Sequence, residues 1–525
     1  MSTRPCDVLV VGGGPAGTSA ALALAEAGRP VVLLDAGDRR PHMPPEGVYL
    51  ELRHTDPGQW RWQLGEGLEA LMVEGAVSPK LRVPGFSDLF AGFAQANRLR
   101  TDGFQLVGAL AAGGLSNAWG CGVSKFHGEE LGALSDVSAD LDVSYARVAR
   151  RIGLSGASDD ALSGFFGLDA LADAPLPLDP LHAALWERSR RRVGAADFAL
   201  GRARVAVLSR AQGERPACDL RGMCLWGCRH GATWSAAMDF DRLRRLPSAQ
   251  VEAGVLVTAL RRDGDVWRVE AQRGGEPGFW SARRVLLGAG TVASTRLALA
   301  AMAHPPRSVR LLSNPMAAFL LLQPTMLGRQ HVRGFGLAQL SYMLGNVVGG
   351  NHACGNLFST AGLPVSEFLR YLPVSRRAGL PLLRALLPAA MVGNVFLPGA
   401  LSRHEARLHD DGSLEISGGG APELDEVHAT TARRLRAAFL RLGALMLPGS
   451  YVPGAAGADI HYAGTLPITR TPRAYECDIH GEIVGLPGIY AIDGAALPVL
   501  PAKAHTLTIA ANADRIARGL PSTGA

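Results

Sequence analysis

The run Gly12-Gly13-Gly14-Pro15-Ala16-Gly17 limits this chain more than any other feature, because a turn of the form GxGxxG between an apolar run and an Ala-rich run folds as strand, turn and helix. Val8-Leu9-Val10-Val11 reads as a buried parallel strand before it, Val31 to Leu34 as a second strand, and Asp35 stands at that strand's tip. Each residue type has a reason. Gly12 permits the tight turn, Gly14 lets a diphosphate approach the backbone, and Gly17 lets helix and strand pack closely. Pro15 and Ala16 open the helix, whose free N–H groups and positive dipole end attract phosphate. Asp35, followed by Ala36, would accept hydrogen bonds from ribose hydroxyls. The complete set predicts a βαβ unit for a dinucleotide, and its position near the N-terminus favours FAD over NAD.

The rest of the chain sets the class. At 525 residues it is long enough for two or three subdomains around a large core. Hydrophobic residues make up 47% and charged residues 19%, so some apolar surface is expected to meet something other than water. The net charge of +6 comes from arginine, since the lysines are Lys80, Lys125 and Lys503. The arginines are scattered in pairs such as Arg39-Arg40 and Arg376-Arg377 and the aromatics are few, which excludes a nucleic-acid stripe. An anionic membrane surface or a phosphorylated substrate stays open. Seven cysteines, an odd number, argue against a secreted disulfide framework and for a cytoplasmic protein. A strand beginning by Asp7 leaves no room for a targeting segment, and no apolar window reaches the length of a spanning helix.

Along the chain, residues 41–94 read as an extended excursion with few elements, punctuated by Pro and Gly. A helix is predicted over 136–152. A β-meander is predicted over 251–288, with turns at Asp263-Gly264 and Gly274-Gly275 and a last strand running into Gly288-Ala289-Gly290. Residues 305–420 show no such order. A long helix over 422–447 follows, and the chain closes on a helix from Thr508 to Leu520. Residues 364–398, with leucines and aromatics among Arg370, Arg376, Arg377 and Arg384, are a candidate for peripheral membrane contact, against burial in a second domain.

Five further segments carry a resemblance. Gly113-Gly114-Leu115-Ser116-Asn117, Gly288-Ala289-Gly290 with Ser294, His461-Tyr462-Ala463-Gly464-Thr465, Tyr490-Ala491-Ile492-Asp493-Gly494 and His505-Thr506-Leu507-Thr508-Ile509 stand in the order of the glucose/methanol/choline (GMC) oxidoreductase family. The chain resembles that family over nearly its whole length, with 305–450 matching in position only. The resemblance implies an α/β fold: a Rossmann-like FAD-binding domain of discontinuous segments (1–40, 95–135, 210–304 and 455–525) plus an α+β substrate-binding domain (136–209 and 305–454) built on a sheet from the middle. It implies flavin contacts at Gly113, Gly114, Ser116, Asn117, Val257, Gly288, Ala289, Gly290, Asp493, Gly494, His505 and Thr506. It implies oxidation of a CH–OH group, with an imidazole taking the hydroxyl proton while flavin N5 takes the hydride. His461 is the candidate base. The family's second catalytic position falls on Ala504, with His505 beside it, so either His505 has taken the role or the pair is reduced to one member. Ala118 replaces a histidine that bonds the flavin in some relatives, which implies non-covalent FAD. Cys121 nearby reads as a buried free thiol.

Cys218, Cys224 and Cys228 resemble the ligands of a three-iron 3Fe-4S cluster in membrane-linked sugar dehydrogenases of that family. The other reading is thiols that only pack, or one disulfide with a thiol left over. The expected partners are an alcohol, sugar or lipid-borne substrate and an electron acceptor, oxygen or a redox protein. A non-redox lyase on the same scaffold and an inactive flavin-binding partner protein are the alternatives.

Overall fold

The computed structural model describes residues 6–71, 78–191, 197–369 and 375–521, a mixed α/β arrangement. The strand Cys6–Val11 lies between Val31–Asp35 and Glu276–Leu287, parallel to both, with Val11 opposite Leu34 and Leu287. Ala249–Ala253 extends this seven-stranded sheet on one side in parallel, and Ile489–Ala491 also joins Glu276–Leu287 in parallel. The antiparallel meander of Val255–Asp263, Val266–Arg273 and Glu276–Leu287 completes it. The central strand is apolar throughout because both its faces are covered. Val8 and Val10 pack with Ala20, Ala21, Leu24, Ala513 and Ile516 of the helices Pro15–Glu26 and Thr506–Gly519. Leu9 and Val11 face a second core that holds Trp267, Val285 and Leu297. Each such burial is worth about 1.5–3 kcal/mol, so the strand is held from both sides.

A second seven-stranded sheet is antiparallel, in the order Leu445–Met446, Met316–Leu322, Ala390–Phe396, Asn351–Ser359, Ala338–Val348 and Phe198–Arg202, with Val452–Pro453 also on Met316–Leu322. One face, with Phe319, Leu340, Tyr342, Leu357 and Val395, packs on Leu181 and Leu185 of helix Pro180–Arg191 and on Leu435 and Phe439 of helix Leu424–Arg441. Gly393 makes room there, since a Cβ on it would stand 2.3 Å from the Phe319 ring. The other face carries Met343, Cys354 and Phe396. A third, four-stranded sheet joins Leu99–Asp102, Leu414–Ser417, His404–Leu408 and Val309–Leu311.

The expected helices are present as Ser138–Ile152, Leu424–Arg441 and Thr506–Gly519. Two expectations are corrected. Residues 305–420, without visible order in sequence, supply most of the second sheet. The reason is clearest in Met316–Leu322, an apolar run without the apolar-polar alternation that marks a half-exposed strand, because side chains pack on both its faces. The excursion 41–94 is more structured than a loop. Its described part holds helices Tyr49–Thr55 and Gln59–Leu64, and Tyr49, Trp62 and Phe86 pack with Trp226. Among the described residues no helix is long and apolar enough to cross a membrane.

Candidate functional site

The C-terminal ends of the strands Cys6–Val11, Val31–Asp35, Glu276–Leu287 and Ile489–Ala491 lie side by side, the edge at which doubly wound sheets bind ligands. The glycine turn sits at this edge. A Cβ on Gly17 would stand 1.7 Å from Gly12 O, and one on Gly12, whose φ is +97°, would stand 2.4 Å from Gly288 O. Both glycines therefore let backbone meet backbone. At Gly14 a Cβ would meet nothing within 4 Å, and the helix that begins at Pro15 and Ala16 has no side-chain cap. Open space in front of uncapped helix N–H groups fits a diphosphate. Asp35 ends its strand with its carboxylate accepting the N–H of Gly13 and, at 2.8 Å, of Gly37, beside Ala36, so it ties the turn to the second strand. Burial raises its pKa to about 6.

Three other segments reach the same edge. Gly113 and Gly114 have φ of +91° and +57°, and a Cβ on Gly114 would stand 3.5 Å from Gly14 Cα. Ser116 Oγ donates to Gly113 O (2.6 Å) and accepts from Ala236 N (2.9 Å), while the Asn117 amide donates to Ala112 O and Gly114 O, so the loop holds its own shape. Asp493 joins two strand ends. It accepts from Gly290 N (2.9 Å), Ser294 Oγ (2.6 Å) and Ala495 N (3.0 Å), and Ser294 Oγ in turn accepts from Ala289 N. Burial lifts Asp493 to about 6. Gly494 is confined, since a Cβ there would stand 2.5 Å from both Thr291 Oγ1 and Tyr462 O. Val257 lies buried in the strand Val255–Asp263, at a register shift between Val257 and Ala259.

His461 and His505 come together although 44 positions apart in sequence (505 minus 461). His505 immediately precedes the helix that starts at Thr506, and its ring stands edge-on to His461 with centroids 4.8 Å apart. Phe396 stacks on His461 at 4.9 Å. His461 Nδ1 is 3.1 Å from Asn314 Oδ1, and the His461 backbone N–H donates to Asp459 Oδ2 at 3.1 Å. Asn314 N–H donates to the same oxygen at 2.7 Å. His505 Nδ1 is buried without a hydrogen-bond partner. Desolvation holds the His461 imidazole down at about pKa 4 and His505 well below its usual range, the nearby His461 adding to the latter. Both rings are neutral at ordinary pH. Burial raises Asp459 to about 7. Ala504 contributes its carbonyl, which accepts from Ser124 Oγ at 2.7 Å, and presents only a methyl group, 3.8 Å from where a Cβ on Gly122 would be.

Asn314, Asp459 and Phe396 were not legible as site residues. Ser313-Asn314-Pro315 reads as a turn and Phe396 as one apolar residue among many. Only Asp459, two residues before His461, carried a local signal.

The three-iron expectation is not supported. Among the described residues no group of three or more His, Cys, Asp or Glu is placed to hold a metal. Cys218, Cys224 and Cys228 are free thiols packed beside Cys121, Val207 and Phe335. Burial pushes Cys218 to about 11, Cys121 to about 12 and Cys224 higher still.

Residues 7–43 match a FAD binding domain family. No curated protein matches the chain in sequence. Among solved structures, a pyridoxine 4-oxidase from Mesorbium loti superposes with a TM-score of 0.60 at 16% identity, and an R554A variant of an Aspergillus oryzae formate oxidase with 0.63 at 13%. A further formate oxidase structure superposes with 0.62 at 13%; in each case 98% of both chains is covered. The chain thus has the GMC-type fold of these oxidases from end to end, with a Rossmann-like nucleotide-binding unit whose first segment matches a FAD binding domain.

Proposed function

We propose that this protein is an FAD-dependent oxidoreductase that oxidises the CH–OH group of a small molecule, with His461 as the base and His505 as its partner at the reacting carbon. The observation that carries the reading is the pair of buried imidazoles, one edge-on to the other, in a chain whose other end forms an open, uncapped glycine turn. FAD, held without a covalent bond because Ala118 offers no nucleophile, supplies the hydride acceptor. The residues that would hold it are the glycine turn, Asp35, the 113–117 loop, Gly288 to Gly290, Asp493 and the start of the last helix.

The protein's own work is placement and proton transfer. A neutral imidazole accepts the hydroxyl proton, and low local dielectric keeps it neutral until the substrate arrives. Phe396 offers an apolar wall beside His461. Two residues along the same strand Asn394 meets Asn356, whose amide oxygen accepts from the Ser341 hydroxyl, so amide groups line the same sheet face and support a substrate with further polar groups. Oxygen as electron acceptor is favoured by the oxidase names of the structural neighbours. The reading extends to peripheral contact with an anionic membrane surface, supported by helix Arg376–Leu386, which exposes Leu380 and Leu382 beside Arg377 and Arg384. Arg370 and Pro373 of that segment lie outside the described residues.

Anaerobic mixing of the FAD-loaded protein with a panel of alcohols tests the reading. Loss of the yellow flavin absorbance with one of them is the expected result. Product formed while the colour persists would replace oxidation by a lyase reaction, and no change with any alcohol would leave an inactive binding protein.

A further inference from the structure

We infer that Asn314 is the positioning residue that sets the tautomer of His461, leaving Nε2 as the bare nitrogen of that ring. The inference rests on the reading of His461 as the base, and it follows from neighbours whose hydrogen-bonding roles admit no choice. Asn314 Nδ2 faces two backbone carbonyls, Leu397 O at 2.8 Å and Pro501 O at 3.1 Å. Carbonyls only accept, so the amide nitrogen belongs on that side and the amide oxygen on the other, toward His461. That oxygen also only accepts. His461 Nδ1, 3.1 Å from it, therefore carries the ring's proton, and in a neutral ring Nε2 then carries none.

The residues around this contact keep it in place. Asp459 Oδ2 takes the backbone N–H of both Asn314 and His461, which fixes the two segments against each other. Behind it, Gly419 N–H donates to His404 Nδ1, so the His404 proton sits on Nε2 and points to Ser313 Oγ at 2.9 Å. The Ser313 hydroxyl proton is then free for Asp459, with which Ser313 is hydrogen-bonded. The titratable groups around the His461 ring and its backbone are thus His505, Asp459 and, through Ser313, His404. The tie from Asn314 to Leu397 and Pro501 has a further effect: it joins the end of a strand in the second sheet to the loop that leads into His505.

An imidazole with the proton on Nε2 would present a donor where an alcohol needs an acceptor. Losing Asn314 therefore harms proton abstraction more than substrate binding.

The test is nitrogen NMR of the FAD-loaded protein with 15N-labelled histidine, the His461 signals being assigned by their loss in His461→Gln. The parent is expected to show Nδ1 protonated and Nε2 bare. Asn314→Leu is expected to move His461 toward the other tautomer and to slow flavin reduction about a hundredfold with little change in apparent substrate affinity. Asn314→Gln, which keeps both an amide nitrogen for the two carbonyls and an acceptor oxygen for His461, is expected to hold the parent tautomer and recover much of the rate. A parent His461 protonated on Nε2, or an Asn314→Leu variant with the parent's spectrum, overturns the inference. Should Asn314→Leu fail to fold, the parent spectrum and Asn314→Gln still decide it. Failure of the base assignment is separate: His461→Ala would then reduce flavin at the parent rate, whatever the imidazole spectrum.

Discussion

The nucleotide-binding end and the histidine end of this molecule are built in opposite ways. At the first, the glycine turn, its strand, its helix and Asp35 all lie within residues 6–35, and hydrogen bonds such as Asp35 to Gly13 close over short chain distances. At the second, Phe396 arrives from a strand of the second sheet, Asn314, Asp459 and His461 from separate loops, and His505 from the residue before the last helix. A local site is specified by short spacing and backbone geometry. A collected site depends on the packing of the whole chain, which also strips water from its imidazoles and so sets their protonation.

The largest effect that would break this comparison is at Gly17. Its missing Cβ would overlap a backbone oxygen, which cannot swing aside, so Gly17→Ala is expected to cost at least about 3 kcal/mol and to yield colourless protein. Denaturant unfolding and flavin content check it, and a stable yellow variant would show that the turn is not closely packed. His461→Ala is expected to keep its FAD and to slow flavin reduction by about 10²–10⁴-fold in stopped flow. A loss of FAD in that variant would instead show that the two ends are not separable.

The pH profile follows in size. Because His461 is held near 4, its neutral form persists as pH falls below the usual value of about 6.5 and is lost only through about 4. At pH 5 an ordinary imidazole would be only about 3% neutral, so the rate there should exceed that expectation by about thirtyfold. By linkage, the unfolded chain takes a proton there that the native ring refuses, so this group makes stability rise with pH between about 4 and 6.5. An acid limb of the reduction rate at 6.5 would mean that the ring is solvated. The smallest effect is at Gly14, where φ is −75° and a Cβ would have no protein atom within 4 Å. Gly14→Ala is expected to leave unfolding unchanged within about 0.5 kcal/mol, yet to weaken FAD binding about tenfold in a fluorescence titration. Equal losses at Gly14 and Gly17 would erase the distinction between a ligand-facing and a packing glycine.

Legibility followed the same division. The first strand, helix and second strand were readable because periodicity and the glycine spacing are local. The meander was readable from its turns at Gly264 and Gly274. The second sheet was not, because strands covered on both faces, such as Met316–Leu322, show no alternation. His461 and His505 were named through resemblance, whereas their edge-on contact needed the fold. The cysteine spacing left two readings open, and the fold supports the packed one: Cys218, Cys224 and Cys228 lie as free thiols against Cys121, Val207 and Phe335.

What the amino-acid order determined by itself was the βαβ unit and the open approach to its glycine turn, since glycine's missing side chain acts on the next few residues and needs no distant partner. Tertiary structure alone decided that Asn314 meets His461, that Phe396 stacks on it and that both imidazoles are neutral. Those outcomes depend on long-range burial, and desolvation belongs to a place in the folded molecule rather than to a residue in a chain.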